Sequence, residues 1–145
     1  AVNTAPETTA SIDYSKIGSL KDIISTLDYT SFPTEIKQIY VPGVIAEGYK
    51  ETDCEKETNF INIFYENDGN GWYQYRQVTV QWNTFLDTEE GDWDSLTIGQ
   101  YPGVYINKGE TGNLWWFDYT YAYQLQGNLS EEEMIAVAES LLAEK

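Results

Sequence analysis

Histidine is absent from this chain of 145 residues, and cysteine occurs once, as Cys54. Without histidine there is no Ser-His-Asp triad, no Cys-His pair and none of the common histidine-based metal sites. A single thiol makes neither an internal disulfide nor a cysteine-rich zinc site. Cys54 stands between Asp53 and Glu55, and neighbouring carboxylates discourage a thiolate, so a structural or incidental thiol is expected rather than a nucleophile. Basic residues are scarce, eight against 24 acids for a net charge of −16, and Lys16, Lys21, Lys37, Lys50, Lys56, Arg76, Lys108 and Lys145 are scattered. With no basic patch, neither a nucleic acid nor an anionic membrane surface is an expected partner, and the charge reads as a solubility device. No apolar run approaches the roughly 20 residues of a membrane helix, so no direct membrane insertion is expected within this segment.

The motifs of phosphate and acyl chemistry are missing too. There is no G-x-S-x-G elbow, and "GNG" at 69–71 lacks the lysine and the strand-to-helix setting of a phosphate loop. Carboxylates remain, and two of them suffice for a glycosidase, but no spacing singles out a pair. The expectation is therefore a protein that is not an enzyme, with no catalytic residue and no cofactor.

What is present is aromatic: 15% of the residues, including 12 Tyr and 5 Trp. Each such ring brings a large apolar face and, for Tyr and Trp, a polar tip, which marks a folded chain rather than a disordered one. The opening "AVNTAPETTAS" is rich in Ala and Thr and starts without a methionine, reading as a flexible tether over 1–15 behind a cleaved signal or an anchor. Residues 16–145 then form a single α+β domain.

"GSLKDIISTLDY" carries Leu20, Ile23, Ile24 and Leu27 at helical spacing, with Ser19 placed to cap, which predicts a short N-terminal helix over about 20–28. "IKQIYV" reads as a strand, and "GYKETDCEK" and "NFINIFYEN" as two more joined near Glu57-Thr58. "NDGNG" is a turn leading to "WYQYRQVTVQW", where Val78, Val80 and Trp82 take one face and Tyr73 and Tyr75 the other. The change of face near Arg76 marks either a bulge or a sheet wetted unevenly along its length. "LTIG" and "GVYIN" follow as short strands around Tyr101-Pro102-Gly103.

"NLWWFDYTYAYQLQG" reads as one long strand over about 114–126. Trp115, Phe117, Tyr119, Tyr121, Tyr123 and Leu125 share its core face, and Trp116 lies on the polar one. Ser130 and Glu133 then form a capping box, Leu129 staples to Met134, and Glu131–Glu133 favour the positive helix end. Met134, Val137, Ala138, Leu141 and Leu142 make the docking stripe of a C-terminal helix that closes the chain. The expected architecture is a twisted, mainly antiparallel sheet with both helices packed on one face.

"YVPGVIAEGYKETD", "NFINIFYEN" and "LTIGQYPGVYINKGETGNLWWFDYTYAYQLQGNLS", followed by "LSEEEMIAVAESL", together resemble the bacterial family called domain of unknown function 4367. The resemblance implies an extracytoplasmic domain of Gram-positive bacteria, in some cases borne by lipoproteins or attached to anti-sigma-factor regions. It implies no catalytic residue.

The functional expectation is an extracytoplasmic interaction or sensor-type domain whose partner is a protein, a peptide or a cell-envelope glycan. The alternative is a carbohydrate-binding module or glycan-active enzyme built on the same aromatics and acids. Trp93, Trp116, Tyr73 and Tyr75 are the candidate ligand-binding residues, since aromatics anchor recognition surfaces. Asp87, Glu89, Glu90, Asp92 and Asp94 in the acidic loop are a weak calcium candidate. Gly91 falls at the fifth place of an EF-hand loop counted from Asp87, rather than the sixth, and the closing Glu is missing.

Overall fold

The computed structural model describes residues 31–80 and 94–144. The expected tether, the expected helix at 20–28, Trp93 and the acidic residues Asp87, Glu89, Glu90 and Asp92 lie outside the described residues. Within them the chain runs β1 (Tyr40–Pro42), β2 (Tyr49–Lys56), β3 (Phe60–Asn67), β4 (Trp72–Thr79), β5 (Asp94–Ile98), β6 (Tyr101–Asn107), β7 (Gly112–Phe117), β8 (Tyr121–Gly127), α1 (Glu131–Ala138) and β9 (Leu141–Ala143). Seven strands make one antiparallel sheet in the order β2-β3-β4-β8-β7-β6-β5, while β1 and β9 pair as a separate two-stranded sheet.

Local chemistry sets the hairpins. Asn67 accepts from the amides of Gly69 and Gly71 through its side-chain oxygen, both at 2.9 Å, and so folds "NDGNG" into the β3–β4 turn. Gly71 packs against the Asn67 side chain and the Tyr49 hydroxyl so closely that a Cβ there has no room. The β5–β6 turn falls at Gly99-Gln100, with Gly99 at φ +62°, rather than around Tyr101-Pro102-Gly103. Pro102 is admitted to β6 because it sits one residue before the ladder with β7 begins at Gly103.

One open alternative is decided and two expectations need correction. Register is continuous on both sides of β4, so the change of face at Arg76 is not a bulge, which leaves the unevenly wetted sheet; the register shift lies in β2, between Glu51 and Asp53. That bulge falls on a sheet edge lined with Lys50, Glu51, Asp53, Glu55 and Lys56, features that blunt an edge against further pairing. The long aromatic strand is in fact a hairpin. Asp118 accepts from the amides of Thr120 (2.9 Å) and Tyr121 (2.8 Å), Tyr119 takes φ +70°, and the chain reverses. Phe117 pairs with Ala122 and Trp116 with Tyr123, so the faces swap across the turn and Trp116 joins the core beside Tyr123.

The second correction concerns the end of the chain. The capping box is present: Glu133 N–H donates to Ser130 Oγ at 3.1 Å, and Ser130 N–H to Glu133 Oε1 at 3.0 Å. Leu129 and Met134 are both buried in the same cluster, as a staple requires. The helix nevertheless stops at Ala138. Ser140 N–H and Oγ both bond back to the Val137 carbonyl, and Ser140 in turn receives Gly43 N–H. The chain therefore leaves the helix to pair as β9 with β1, and Leu142 is exposed at 61% instead of completing a stripe.

α1 and the β1–β9 pair cover one face of the sheet. Tyr65 stacks on Tyr73 there (4.4 Å, 9°) and Trp116 on Tyr123 (5.3 Å, 18°), with Met134, Val137 and Ala138 of α1 in the same cluster. Burial of each such ring is worth roughly 2–3 kcal/mol. The opposite face is buried as well around Val78, Phe117 and Ala122, with Phe32 edge-on to Phe117 at 5.7 Å. Both faces of β4 are therefore buried toward its end, Val78 on one and the polar Gln77 and Thr79 on the other, which accounts for the mixed pattern of its sequence.

β1 is shorter than "IKQIYV" suggests, because the backbone before it bonds to side chains rather than to a ladder. Gln77, fully buried, donates from Nε2 to Gln38 O (3.0 Å) and accepts Tyr40 N–H at Oε1 (2.9 Å). Tyr75 O–H donates to Tyr40 O at 2.6 Å, and Lys37 N–H donates to Tyr121 Oη, also at 2.6 Å. A buried amide thus clamps a backbone segment as a neighbouring strand would.

Candidate functional site

Where β1, the β5–β6 turn, the β7–β8 hairpin and the end of α1 converge, they enclose a cleft of about 480 Å³. That is within the span of small-ligand pockets. Tyr40 forms one wall and Gly99, Gln100 and Tyr101 another; Trp116, Tyr123 and Asp118 lie at the floor, with Ala138, Glu139, Leu141 and Ile98 completing the lining.

Each functional side chain has a local reason for its place. Trp116 and Tyr123 are direct cross-strand partners, and their stacked rings are 2% and 1% exposed. Tyr40 stands edge-on to Tyr123 at 6.4 Å, positioned by the Gln77 clamp. Asp118 is fixed by the turn it makes, and its Oδ2 accepts Tyr123 O–H at 2.6 Å. Burial pushes the Asp118 carboxyl above the ordinary carboxylate value, against the hydrogen bonds from Tyr121, Tyr123 and Thr120 that favour its charged form. The Tyr123 phenol is driven well above its ordinary value by burial first and then by the Asp118 charge; burial, followed by Asp118, also raises Tyr40. Glu139 caps α1 at its C-terminal end and accepts Gly99 N–H at 3.2 Å, linking the helix to the β5–β6 turn.

Chemically the described lining of the cleft offers apolar side chains, phenols and two carboxyl groups, and no lysine or arginine among the described residues lines it. Among the described residues no three His, Cys, Asp or Glu side chains gather as metal ligands. Asp94, the described member of the calcium candidate, opens β5 opposite Tyr105 and is exposed. Cys54 keeps a free thiol whose pKa burial raises; Lys56 opposes the shift and Glu51 adds to it.

Of the expected ligand-binding aromatics, Trp116 reaches the cleft, though as buried floor rather than as an exposed anchor. Tyr73 and Tyr75 do not line it. Both are fully buried, Tyr73 stacked on Tyr65 with its hydroxyl receiving Ala46 N–H, and Tyr75 holding Tyr40 O. They face the helix-covered side of the sheet, where an outward recognition surface is impossible. Tyr40, Tyr101, Asp118, Tyr123 and Glu139 were not singled out by sequence. "FDYTY" did carry a signal, since an Asp whose side chain can accept amides two and three residues on is a turn former.

No helix of the described residues is long and apolar enough to cross a membrane. No curated protein and no solved structure matches the chain. The sequence pattern of one family matches residues 39–141, from within the clamped segment to the first residue of β9, and so contains every described residue lining the cleft. On that match over most of its length, the chain belongs to the family described as Domain of unknown function (DUF4367).

Proposed function

We propose that the protein is a non-catalytic binding or sensor-type domain, displayed outside the cytoplasm, which takes part of a protein, peptide or cell-envelope component into the Tyr40–Asp118–Glu139 cleft. The observation that carries this reading is the cleft itself. It is a concave site of about 480 Å³, lined by aromatic and apolar side chains and by the carboxyl groups of Asp118 and Glu139. Among the described residues its lining holds no Ser, Cys or Lys nucleophile, and the whole chain has no histidine. The glycan alternative draws on the same rim, where Gln100 and Tyr101 give neutral polar partners for hydroxyl groups.

The test is a two-dimensional amide NMR titration against peptides, muropeptide fragments and soluble envelope glycans, with the mixtures checked by mass spectrometry afterwards. Saturable shifts at Gly99, Gln100, Thr120 and Tyr121 with an unaltered probe are expected. Shifts confined to other surfaces would move the site elsewhere, and any turnover would make the protein an enzyme. Protease shaving of intact cells reads the compartment: the domain should be degraded while a cytoplasmic marker survives.

A further inference from the structure

We infer that β9 accepts an extended segment of another protein as an added strand along its outer edge, on the rim of the cleft. The inference rests on the reading of the cleft as the binding site, and it names the form in which the partner arrives.

Hydrogen-bond register gives the first argument. Gly43 N–H donates to Ser140 O and Glu144 N–H to Ile39 O, both at 2.8 Å. With Val41 opposite Leu142, the bonded pairs of this antiparallel ladder are 39 with 144, 41 with 142 and 43 with 140. Leu141 and Ala143 fall at the alternate positions, so their N–H and C=O groups point away from β1. Among the described residues none bonds to these four groups. Two donors and two acceptors at strand spacing are matched by another backbone in extended form. The far edge of β1 offers no such array, because Gln77 and Tyr75 occupy the N–H and C=O of Tyr40.

The edge at β9 also differs from the one at β2, which is charged and carries a bulge. Its "LLA" has no charge, no proline and no register shift, and Leu142 is exposed at 61%. Cross-strand neighbours share a face, so Tyr40, Pro42, Leu141 and Ala143 lie on one side of the β1–β9 pair and Val41 and Leu142 on the other. Tyr40 and Leu141 line the cleft, which makes the first side its wall. Partner residues opposite Leu141 and Ala143 extend that wall, and the one between them falls beside Leu142. The Leu142 side chain lies against Gly43, and Val44 and Ile45 follow, each about half exposed. Apolar partner side chains are therefore matched on both faces. Charge narrows the source: at −16 the protein repels an acidic segment, and a second copy brings the same charge. The occupant is a neutral or basic segment of a different protein.

The experiment is an amide NMR titration of the whole protein, with hydrogen exchange, using three probes. These are acetyl-Lys-Val-Leu-Val-Lys-amide, the same peptide N-methylated at its three central residues, and acetyl-Glu-Val-Leu-Val-Glu-amide. In the free protein the Leu141 and Ala143 amides should exchange fast and those of Leu142 and Glu144 slowly. Slow exchange at all four would show the edge already covered and overturn the inference. The lysine peptide should shift Leu141, Ala143, Gly99 and Gln100 saturably and slow exchange at the first two. The N-methylated peptide keeps the side chains but loses the donors, and should bind at least about tenfold more weakly. Equal binding with shifts at Gly99 and Gln100 would overturn the added strand yet keep the cleft as a site. Ala143→Pro removes an outward N–H and none of the bonds to β1, a place where an edge strand admits proline. It should leave the urea midpoint unchanged and weaken the lysine peptide by about threefold or more. Unchanged affinity would overturn the pairing; should the variant lose stability, the N-methyl comparison on wild type decides. Glutamate-peptide binding as tight as the lysine peptide's would overturn the choice of a neutral or basic segment. A wild-type dimer in sedimentation that Ala143→Pro abolishes would assign the edge to a second copy and overturn the partner. Shifts at Leu141 and Ala143 without Gly99 and Gln100 would overturn the cleft while the edge pairing stands. No saturable shift at either place with millimolar lysine peptide would overturn both.

Discussion

Replacing Gln77 with leucine tests how the cleft is held open. Gln77 is fully buried, and its side chain satisfies Gln38 O and Tyr40 N–H at 3.0 and 2.9 Å. Leucine fills much the same volume but offers neither bond, so a carbonyl and an amide lose their partners. Each such loss costs about 1–3 kcal/mol when buried. Gln38 and Tyr40 are half-buried, which favours the lower part of the range, or about 2–4 kcal/mol for the pair. With a urea m-value of about 1–3 kcal/mol/M, the unfolding midpoint should fall by about 1–2 M. The bond from Tyr75 O–H to Tyr40 O survives, so β1 loosens rather than detaches. Tyr40 is then free to leave the cleft wall, and the affinity of any cleft ligand should drop with stability. Gln77→Glu supplies a second readout: protonated, it keeps an acceptor for Tyr40 N–H and an O–H donor for Gln38 O; ionised, it loses that donor, and burial raises its pKa. Its stability should fall further as pH rises through that value. A leucine variant within about 0.5 kcal/mol of wild type, a difference typical of surface changes, would refute the clamp.

Alkaline unfolding should be steep. Burial drives the Tyr75 and Tyr123 phenols well above the ordinary value of 10, so their folded pKa values exceed the unfolded ones. Their stabilising contribution is complete below the unfolded value and is lost as pH rises above it, at about 1.4 kcal/mol per pH unit for each phenol. Urea midpoints measured from about pH 9 to 11 should show a slope that approaches at least about 2.7 kcal/mol per unit above pH 10 from these two, with Tyr65 and Tyr73, also raised by burial, adding to it; a flat profile would contradict the burial. Ser130→Ala removes the N-cap of α1 and should destabilise by about 1 kcal/mol in the same assay. Thr79 is buried with a hydroxyl that finds no hydrogen-bond partner among the described residues. Thr79→Val should therefore stabilise, by about 1 kcal/mol; destabilisation would reveal a partner for that hydroxyl.

How far the fold could be read from sequence differs between elements for physical reasons. Ser130 and Glu133 announce the helix start because a capping box is local, and "NDGNG" announces its turn because Asn67 needs only its near neighbours. The Asp118 turn was hidden because the left-handed position falls on Tyr119, a residue type that rarely occupies it, and because aromatics alternate without a break on both sides. The end of α1 carries no Gly or Pro; pairing of β9 with β1, almost a hundred positions away in sequence, decides it. Gln77 looks like an ordinary polar strand residue until Gln38 and Tyr40 are brought over it. The cleft draws Tyr40, Gln100, Asp118 and Glu139 from four separate segments, so no local pattern could have marked it. The two strand tyrosines chosen instead, Tyr73 and Tyr75, have the composition of a recognition surface but the burial of a core.

The most direct test of the account is a carbon-13 NMR titration of the Asp118 side-chain carboxyl, run on the wild-type protein and on Tyr123→Phe. In the wild-type protein the carboxyl should titrate above the ordinary value of 3.8, because burial disfavours its charge. Removing the Tyr123 hydroxyl takes away a hydrogen bond that favours the charged form, and the titration should move to higher pH. The same midpoint in both proteins, or a wild-type midpoint at or below the ordinary value, would contradict the buried Asp118–Tyr123 pair on which the cleft is built.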